Sequence, residues 1–472
     1  MTSAGDERIA AARWTAAERE SFFSAIARHR RASWRVTLAA AFATAVIAVV
    51  VAVLLSPLLY CTAGLVLDLV NRLRPAPDLI GASVRLLRPL LAAPRAVPLT
   101  VWARVTLLAA APGLVLLALS ALGLRRMLSD AAWFASGEVP GRAPDRSRLA
   151  EQRFANVVEE MCLAAQLPPP RIRVLEAAGA NAAALGRDER HATIVVGAPL
   201  LELLNREQLE GVAGHLVGAI ANGDLAIGLR TAVTLALFNL LGRLSEALTD
   251  RRPLGRLLSL GVAFAAPRGA AAQRLAAEIA APFGAEQGRA PAAGPSGRSW
   301  RDWLVLPMAG PVMIAGFFSA FVAALLLAPV IALAWRQRKY LADATAVRLT
   351  RDPDGLAGAL QVLAAARTGA GLTPWAAHLA LLPGPGGGLL GGSVVPLFPG
   401  LARRERSLRA LGAHVVPGRI GLPRAAWLFI AALAALLAPA CGVVVYLLLV
   451  LSVAMSGMFL VVPAAILHAI LR

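Results

Sequence analysis

The stretch Gly214-His215-Leu216-Val217-Gly218-Ala219-Ile220-Ala221-Asn222-Gly223-Asp224 decides the predicted fold of this chain. Asn205 can cap the start of a helix, with Gln208 at the third helical position in a variant of the capping box. The apolar face of that helix comprises Leu209, Val212, Ala213, Leu216, Ala219 and Ile220. The pattern predicts a core helix that carries a single histidine, His215, among apolar side chains.

The position of His215 can be compared with the helix of a zinc peptidase. Such a helix carries His-Glu-x-x-His, because histidines four residues apart share one face and bind zinc while the glutamate activates the bound water. His215 stands where the first ligand would be, Leu216 where the general base would be, and Ala219 where the second ligand would be. Taken alone, this pattern indicates a histidine packed in the core rather than a zinc ligand.

Motifs on both sides of the helix change that interpretation. The upstream motifs are Arg153-Phe154-Ala155-Asn156-Val157-Val158-Glu159-Glu160-Met161, Leu167-Pro168-Pro169-Pro170, Asn181-Ala182-Ala183-Ala184-Leu185-Gly186, Ile194-Val195-Val196-Gly197 and Arg206-Glu207-Gln208-Leu209-Glu210-Gly211-Val212. The downstream motifs are Arg336-Gln337-Arg338-Lys339-Tyr340-Leu341-Ala342-Asp343-Ala344, Arg351-Asp352-Pro353-Asp354-Gly355-Leu356 and Phe398-Pro399-Gly400-Leu401, followed by Arg406 and Leu411. In this order they resemble the membrane-bound M48 metallopeptidases, the HtpX-like family, over residues 20–60 and 145–411.

The resemblance implies an α-rich membrane protein with a zincin-like M48 α+β domain and a small sheet. It also implies that Lys339 occupies the position of the third zinc ligand, a glutamate in the family, and that Phe398 replaces a family histidine. Asn222, Asp224 and Asp343 match family motif positions that are retained. With Leu216, Ala219 and Lys339 at the three catalytic positions, His215 is expected to be a vestigial ligand position only. No catalytic residue and no cofactor are therefore predicted.

Long apolar runs identify a membrane protein, in agreement with a hydrophobic content of 58%. The runs are residues 36–57, 105–124, 303–335 and 427–471, and the last is long enough for two helices. Residues 229–242 are a weaker candidate. About five or six transmembrane helices are expected. If His215 and Lys339 share a cleft, the chain crosses the membrane an even number of times between them, so either 229–245 pairs with 303–335 or 303–335 is a hairpin.

The predicted organisation follows these runs. It comprises an amphipathic basic N-terminal helix (1–35), a transmembrane hairpin with a long connecting loop (36–124), the first half of the M48-like domain (125–228), a weak membrane or interfacial segment with an Ala/Gly/Pro-rich linker (229–302), a transmembrane segment (303–335), the second half of the domain (336–424) and a C-terminal transmembrane hairpin (425–472). Within the domain, a helix over 147–166 and strands over 171–176 and 193–197 are predicted.

The formal net charge is +19, and arginine supplies nearly all of the positive charge, since Lys339 is the only lysine. No nucleic-acid-binding motif accompanies this positive charge. The arginines cluster at the flanks of the apolar runs, where they meet anionic lipid. Arg28, Arg30, Arg31, Arg125 and Arg126 predict a cytoplasmic N-terminus and soluble domain, in a bacterial inner membrane. Membrane lipid and other membrane proteins or polypeptide segments are the expected partners, and nucleic acid is not.

These observations favour a non-catalytic scaffold or regulator that binds polypeptide or membrane-protein partners. Enzyme status is uncertain: the resemblance is to a metalloendopeptidase family, but a catalytically inactive member is predicted. The alternative is an active zinc-dependent membrane metalloendopeptidase with rebuilt ligands, for example His215 with His191 or His414. A transporter is disfavoured because the clear spans contain almost no internal charged residues.

Lys339 itself has two interpretations. Its ammonium can sit where zinc would sit, pairing with Asp343 four residues later or with carbonyl groups around the cleft. Alternatively, Lys339 is an exposed lysine at the start of a membrane-proximal helix.

Overall fold

A computed structural model gives the fold. It describes residues 19–83, 85, 97–130, 141–176, 179–249, 253–266, 327–366, 377–383, 398–416 and 462–471, with a few single positions between 269 and 316. Most of the predicted span at 303–335 (up to residue 326), most of the predicted run at 427–471 (up to residue 461) and most of the 267–300 linker lie outside these residues.

The described chain is rich in helix and contains one small sheet. Its helices are α1 (Phe22–Asn71), α2 (Leu99–Asp130), α3 (Leu149–Ala165), α4 (Ala198–Leu203), α5 (Arg206–Ala221), α6 (Asp224–Thr249), α7 (Pro253–Ala265), α8 (Ala328–Thr350), α9 (Pro353–Ala366), α10 (Leu401–Ala410) and α11 (Val462–Leu471). Its strands are β1 (Arg171–Leu175), β2 (Ala182–Gly186) and β3 (Ala192–Gly197). Short 3-10 turns occur at Glu189–His191 and Ala377–Leu379.

Three described helices are long and apolar enough to cross a membrane: α1, α2 through Ser129, and α6 through Leu244. Helix α1 has 50 residues, about 75 Å at 1.5 Å per residue, whereas the hydrocarbon core is only about 30 Å thick. A helix of this length extends beyond the membrane, and its first turns contact α8, where His29 Nδ1 lies 3.1 Å from Gln337 Oε1. Helix α6 contains the weak 229–242 candidate, because the run continues past Arg230 and Asn239 as one apolar helix. The total of five or six spans stays a prediction.

The sheet has the order β1-β3-β2, with β1 parallel and β2 antiparallel to β3. The predicted strands at 171–176 and 193–197 are confirmed as β1 and β3. Strand β2 was not predicted, because its sequence, Ala-Ala-Ala-Leu-Gly, lacks the β-branched residues that mark strands. It forms an edge of the sheet, and all five of its residues are buried.

Helix α5 is the centre of the soluble domain and packs against α3, α8 and α9. The predicted capping box is confirmed. The Asn205 side chain accepts from the Gln208 backbone N–H at 2.9 Å, and the Gln208 side chain accepts from the Asn205 backbone N–H at 3.1 Å. Helix α9 approaches so closely that a Cβ on Gly211 would lie 2.5 Å from the backbone nitrogen of Leu356. Only glycine permits this approach, which fixes α5 between its neighbours.

Candidate functional site

His215 and Asp343 bring α5 and α8 together inside the domain. The Nδ1 atom of His215 lies 2.7 Å from Oδ1 of Asp343, and both side chains are fully enclosed. Burial lowers the pKa of His215 to about 4, and the positive charges of Arg404 and Lys339 lower it further, whereas the hydrogen bond to Asp343 opposes this shift. The imidazole is therefore neutral near pH 7, and its Nδ1–H donates to the carboxylate.

This bond leaves the Nε2 lone pair of His215 directed away from Asp343. Nε2 is buried and has no hydrogen-bond partner within the described part of the chain. A metal-binding histidine is held in this manner, with one nitrogen fixed by a carboxylate and the other free for the metal. Asp343 thus orients His215 as a carboxylate orients a metal-binding histidine.

Arg404, on α10, holds Asp343 from the other side. Its Nη2 lies 2.6 Å from Asp343 Oδ1 and its Nε 2.9 Å from Oδ2, a two-pronged pairing in the buried interior. The guanidinium keeps the pKa of Asp343 well below its usual range, against the opposing effect of burial. Arg404 was missed in the sequence, although it lies four residues before the buried Leu408 and so on the inner face of α10.

Lys339 is buried, with 3% of its surface exposed. Its Nζ donates to the carbonyl oxygen of Ala380 and, at 3.4 Å, to that of Leu379. The ammonium also lies 5.5 Å from the ring centroid of Phe398, a cation–π distance. The interpretation as an exposed lysine is therefore wrong, and Lys339 contacts carbonyl groups instead of pairing with Asp343. Burial lowers the pKa of Lys339 to about 7.

The carbonyls that Lys339 contacts belong to a segment, residues 377–382, that lies along the edge of β2. Ala380 forms an antiparallel bridge with Ala183, and the Leu381 N–H donates to the Ala182 carbonyl at 2.7 Å. At the end of the segment, the Asn181 side-chain amide donates to the Leu382 carbonyl oxygen at 2.9 Å. Arg404 also donates to Leu381 O, at 2.8 Å. Lys339 and Arg404 thus clamp the 377–382 segment onto the sheet.

The other retained motif positions form a second buried network. Asp224, at the start of α6, is paired with the guanidinium of Arg338. Arg338 also donates to the Asn222 carbonyl and to Ser33 Oγ of α1. Asn222 Nδ2 donates to Thr345 Oγ1 at 3.0 Å. Asn222 and Asp224 therefore join the end of α5 and the start of α6 to α8 and, through Arg338, to α1, and they make no hydrogen bond to His215 or Asp343 within the described residues.

Leu216 and Ala219 lie in the core around α5. In place of a base and a second ligand they offer only apolar surface. Among the residues that the structure describes, no group of three His, Cys, Asp or Glu side chains could hold a metal ion. One imidazole nitrogen, with an amine where a carboxylate is needed, does not fit a zinc site.

The remaining histidines have other partners. His191 contacts Asp188 at 2.6 Å and His414 contacts Asp354 at 2.8 Å, and both side chains are exposed, unlike His215. His378 is buried with its ring 4.5 Å from that of Trp335. His29 and His468 contact Gln337 and Asp68, respectively. Rebuilt ligands around His215 stay a prediction.

The fold and site define an α-rich membrane protein with a small mixed sheet, in which a core helix carries a histidine oriented by a carboxylate. Residues 148–410, more than half of the chain, match the model of peptidase family M48. The chain therefore belongs to the M48 family, and its likeness is to the HtpX-like membrane members.

Three relatives illustrate this likeness, and each carries the name Protease HtpX homolog. The Thermoanaerobacter pseudethanolicus protein is 30% identical over 206 residues, covering 44% of this chain and 54% of the relative. The Streptococcus equi subsp. equi protein is 31% identical over 216 residues, covering 44% and 57%. The Streptococcus gordonii protein is 30% identical over 234 residues, covering 49% and 64%. The chain thus spans little more than half the length of most of these relatives. No solved structure matches it significantly.

Proposed function

We propose that this chain is a non-catalytic M48 membrane protein, a scaffold or regulator that has lost its zinc and catalytic residues. The observation that carries the proposal is the buried Lys339 amine, which stands at the family's third ligand position and is directed at the carbonyls of Leu379 and Ala380. Charged or neutral, its N–H groups are engaged with these oxygens. A protonated amine beside an incoming Zn²⁺ would also repel it.

The missing general base supports the same conclusion. Leu216 follows His215 and is packed in the core, so the position next to His215 has no carboxylate to take a proton from water. Leu216, Ala219 and Lys339 each remove one of the roles that metal-assisted hydrolysis needs. Asp343, which matches a family motif position, and Arg404 then serve as structural supports of the domain.

The position of the 377–382 segment bears on what such a protein binds. Sheets commonly recognise an extended peptide by adding it as a strand to a free edge. The outer edge of β2 is not free at Ala182 and Ala183, because the chain's own Leu381 and Ala380 already pair with it there. We therefore favour a protein that positions or regulates partner membrane proteins through its helices over one that holds an extended polypeptide in the old cleft.

The proposed location is a bacterial inner membrane with the soluble domain in the cytoplasm. Arg125 and Arg126 lie at the end of α2 that leads into the domain, and Arg28, Arg30 and Arg31 lie in the first turns of α1 beside α8. Arginine on the domain side of two spans is the pattern of a cytoplasmic face.

The metal content of the purified protein tests the proposal. Elemental analysis after purification without chelators should give far less than one zinc per chain, with an M48 member that retains His-Glu-x-x-His as the positive control. A casein assay should show no hydrolysis that depends on His215. One tightly held zinc per chain, or hydrolysis abolished by both a chelator and His215→Ala, would overturn the proposal.

The alternative is an active zinc-dependent metalloendopeptidase with rebuilt ligands. One observation favours it: the unpartnered Nε2 of His215 is oriented as a metal ligand would be. The zinc measurement separates the two, because a rebuilt site must hold its metal stoichiometrically.

A further inference from the structure

An apolar groove runs between the membrane helices α1, α2, α6 and α7. It has a volume of about 410 Å³, which is within the usual range of about 300–1,000 Å³ for small-ligand sites. Leucines form most of its walls, among them Leu55, Leu119, Leu241 and Leu260. The groove is therefore chemically suited to a hydrocarbon chain.

The exception on the groove wall is Arg126. It is the last α2 residue to line the groove, it is exposed, and it lies at the end of α2 that leads to the soluble domain. Its guanidinium makes no hydrogen bond or ion pair with the residues described. A long apolar groove with a cation at one end is complementary to an acyl chain that carries an anionic headgroup.

The glycines of the groove distinguish a lipid from a packed helix. Small residues on membrane helices often mark helix–helix contacts. Gly123, however, already packs against α7 of the same chain, because a Cβ there would lie 2.5 Å from the Phe264 ring. Gly261, by contrast, faces open space inside the groove. A neighbouring apolar helix would also offer no anion to the Arg126 guanidinium, whereas a phospholipid headgroup would.

We propose that this groove is a binding site for one anionic phospholipid, with an acyl chain along the leucines and the phosphate at Arg126. The site is separate from the His215 cluster and does not depend on the loss of catalysis, but it rests on the proposed cytoplasmic position of Arg126. Anionic lipid is enriched in the cytoplasmic leaflet, and basic pockets between membrane helices bind such headgroups there. The lipid would fill the space between α2 and α7 and so stabilise the packing of the membrane helices.

The test uses the full chain in nanodiscs of equal phosphatidylglycerol and phosphatidylcholine with identical acyl chains. After gentle release into detergent, native mass spectrometry counts the retained lipids. Wild type should retain one lipid, with phosphatidylglycerol favoured about fivefold. Arg126→Gln should reduce this preference toward one, whereas the matched control Arg125→Gln, an exposed neighbour outside the groove, should keep it.

A second pair of variants tests the groove itself. Gly261→Phe should occupy it and abolish retention of both lipids. Gly255→Phe is the matched control, because Gly255 lies on the same helix, also faces open space and does not line the groove. Gly261→Leu is the smaller substitution to use if Gly261→Phe does not fold. Equal retention in the Gly261 and Gly255 variants, or equal preference in the two arginine variants, would overturn the proposal. A wild-type dimer that Gly261→Phe converts to a monomer would also overturn the proposal, since the occupant of the groove would then be a helix of a second chain.

Discussion

The Nδ1 of His215 lies 2.7 Å from Oδ1 of Asp343, although 128 residues separate them in the chain. The carboxylate that would orient a metal-binding imidazole is present, while the positions expected to supply the remaining ligands hold Ala219 and Lys339. Under the proposed non-catalytic function, the carboxylate that supports the histidine has been kept and the other ligands have been replaced. Because Asp343 also receives two hydrogen bonds from Arg404, it now has a structural role that does not require a metal.

Restoring all three lost residues should recreate metal binding. In the triple variant Leu216→Glu, Ala219→His and Lys339→Glu, the new imidazole would lie one helical turn from His215, and the amine would be replaced by a carboxylate. Without metal, each new polar group left unpaired in this core costs about 1–3 kcal/mol. Zinc should therefore bind and raise the unfolding temperature.

Zinc content and zinc-dependent thermal stability measure this outcome, and the single variant Leu216→Glu is the control, which should bind none. A folded triple variant without zinc would contradict the expectation, because it would show that the geometry around His215 no longer matches a zinc site.

The stability of the protein should rise with pH above about 7 because of Lys339, whose pKa burial lowers to about 7. Between this value and the usual lysine pKa of about 10.4, the unfolded chain binds a proton that the folded chain has released, so alkaline pH favours the folded state. The effect can be isolated because the chain has no other lysine.

This pH dependence is measured by denaturant unfolding in detergent, monitored by tryptophan fluorescence from pH 6 to 9. The reference is Lys339→Met, which lacks the titrating group. The wild-type free energy of unfolding should increase with pH relative to that of the variant. Parallel pH profiles for the two proteins would show that the folded state does not perturb Lys339.

Removing Arg404 should destabilise the domain more than removing any exposed arginine. Arg404→Gln leaves the buried Asp343 carboxylate without its cation, and breaking such a pair costs about 3–5 kcal/mol. Arg406→Gln is the matched control on the same helix, where an exposed substitution costs within about 0.5 kcal/mol. Arg404→Lys should be intermediate, since it keeps the charge without the two-pronged geometry.

Thermal unfolding of the three variants measures this order. If Arg404→Gln and Arg406→Gln unfold at the same temperature, the Arg404–Asp343 pair does not hold α10 to α8.

Cysteine labelling should place the N-terminus and the soluble domain in the cytoplasm. Ser3→Cys and the exposed Arg187→Cys would be made in a chain with Cys61 and Cys441 replaced by serine. Cys162 can stay, because it is buried and burial raises the pKa of its thiol to about 11. A membrane-impermeant maleimide should label both sites only after the membrane is opened. Labelling of both in intact spheroplasts would reverse the proposed orientation.

Local features of the fold could be predicted from the sequence because their causes are local. The capping box of Asn205 and Gln208 marks the start of α5, β-branched residues mark β1 and β3, and long apolar runs mark the membrane helices. Motif order also gave the M48 family and the positions of His215 and Lys339. Strand β2 escaped prediction because alanine favours no strand, and only pairing with β3 makes Ala182–Gly186 extended.

What the sequence by itself determined is therefore which side chains occupy the motif positions: Leu216, Ala219 and Lys339 can be identified there directly. Only the tertiary structure decided which groups these motif residues contact. Arg404 lies 61 residues from Asp343, and Ala380 lies 41 residues from Lys339. Contacts over such separations depend on how α8, α10 and the sheet edge pack. A buried amine and carboxylate must find partners in that packing, whatever their neighbours in sequence.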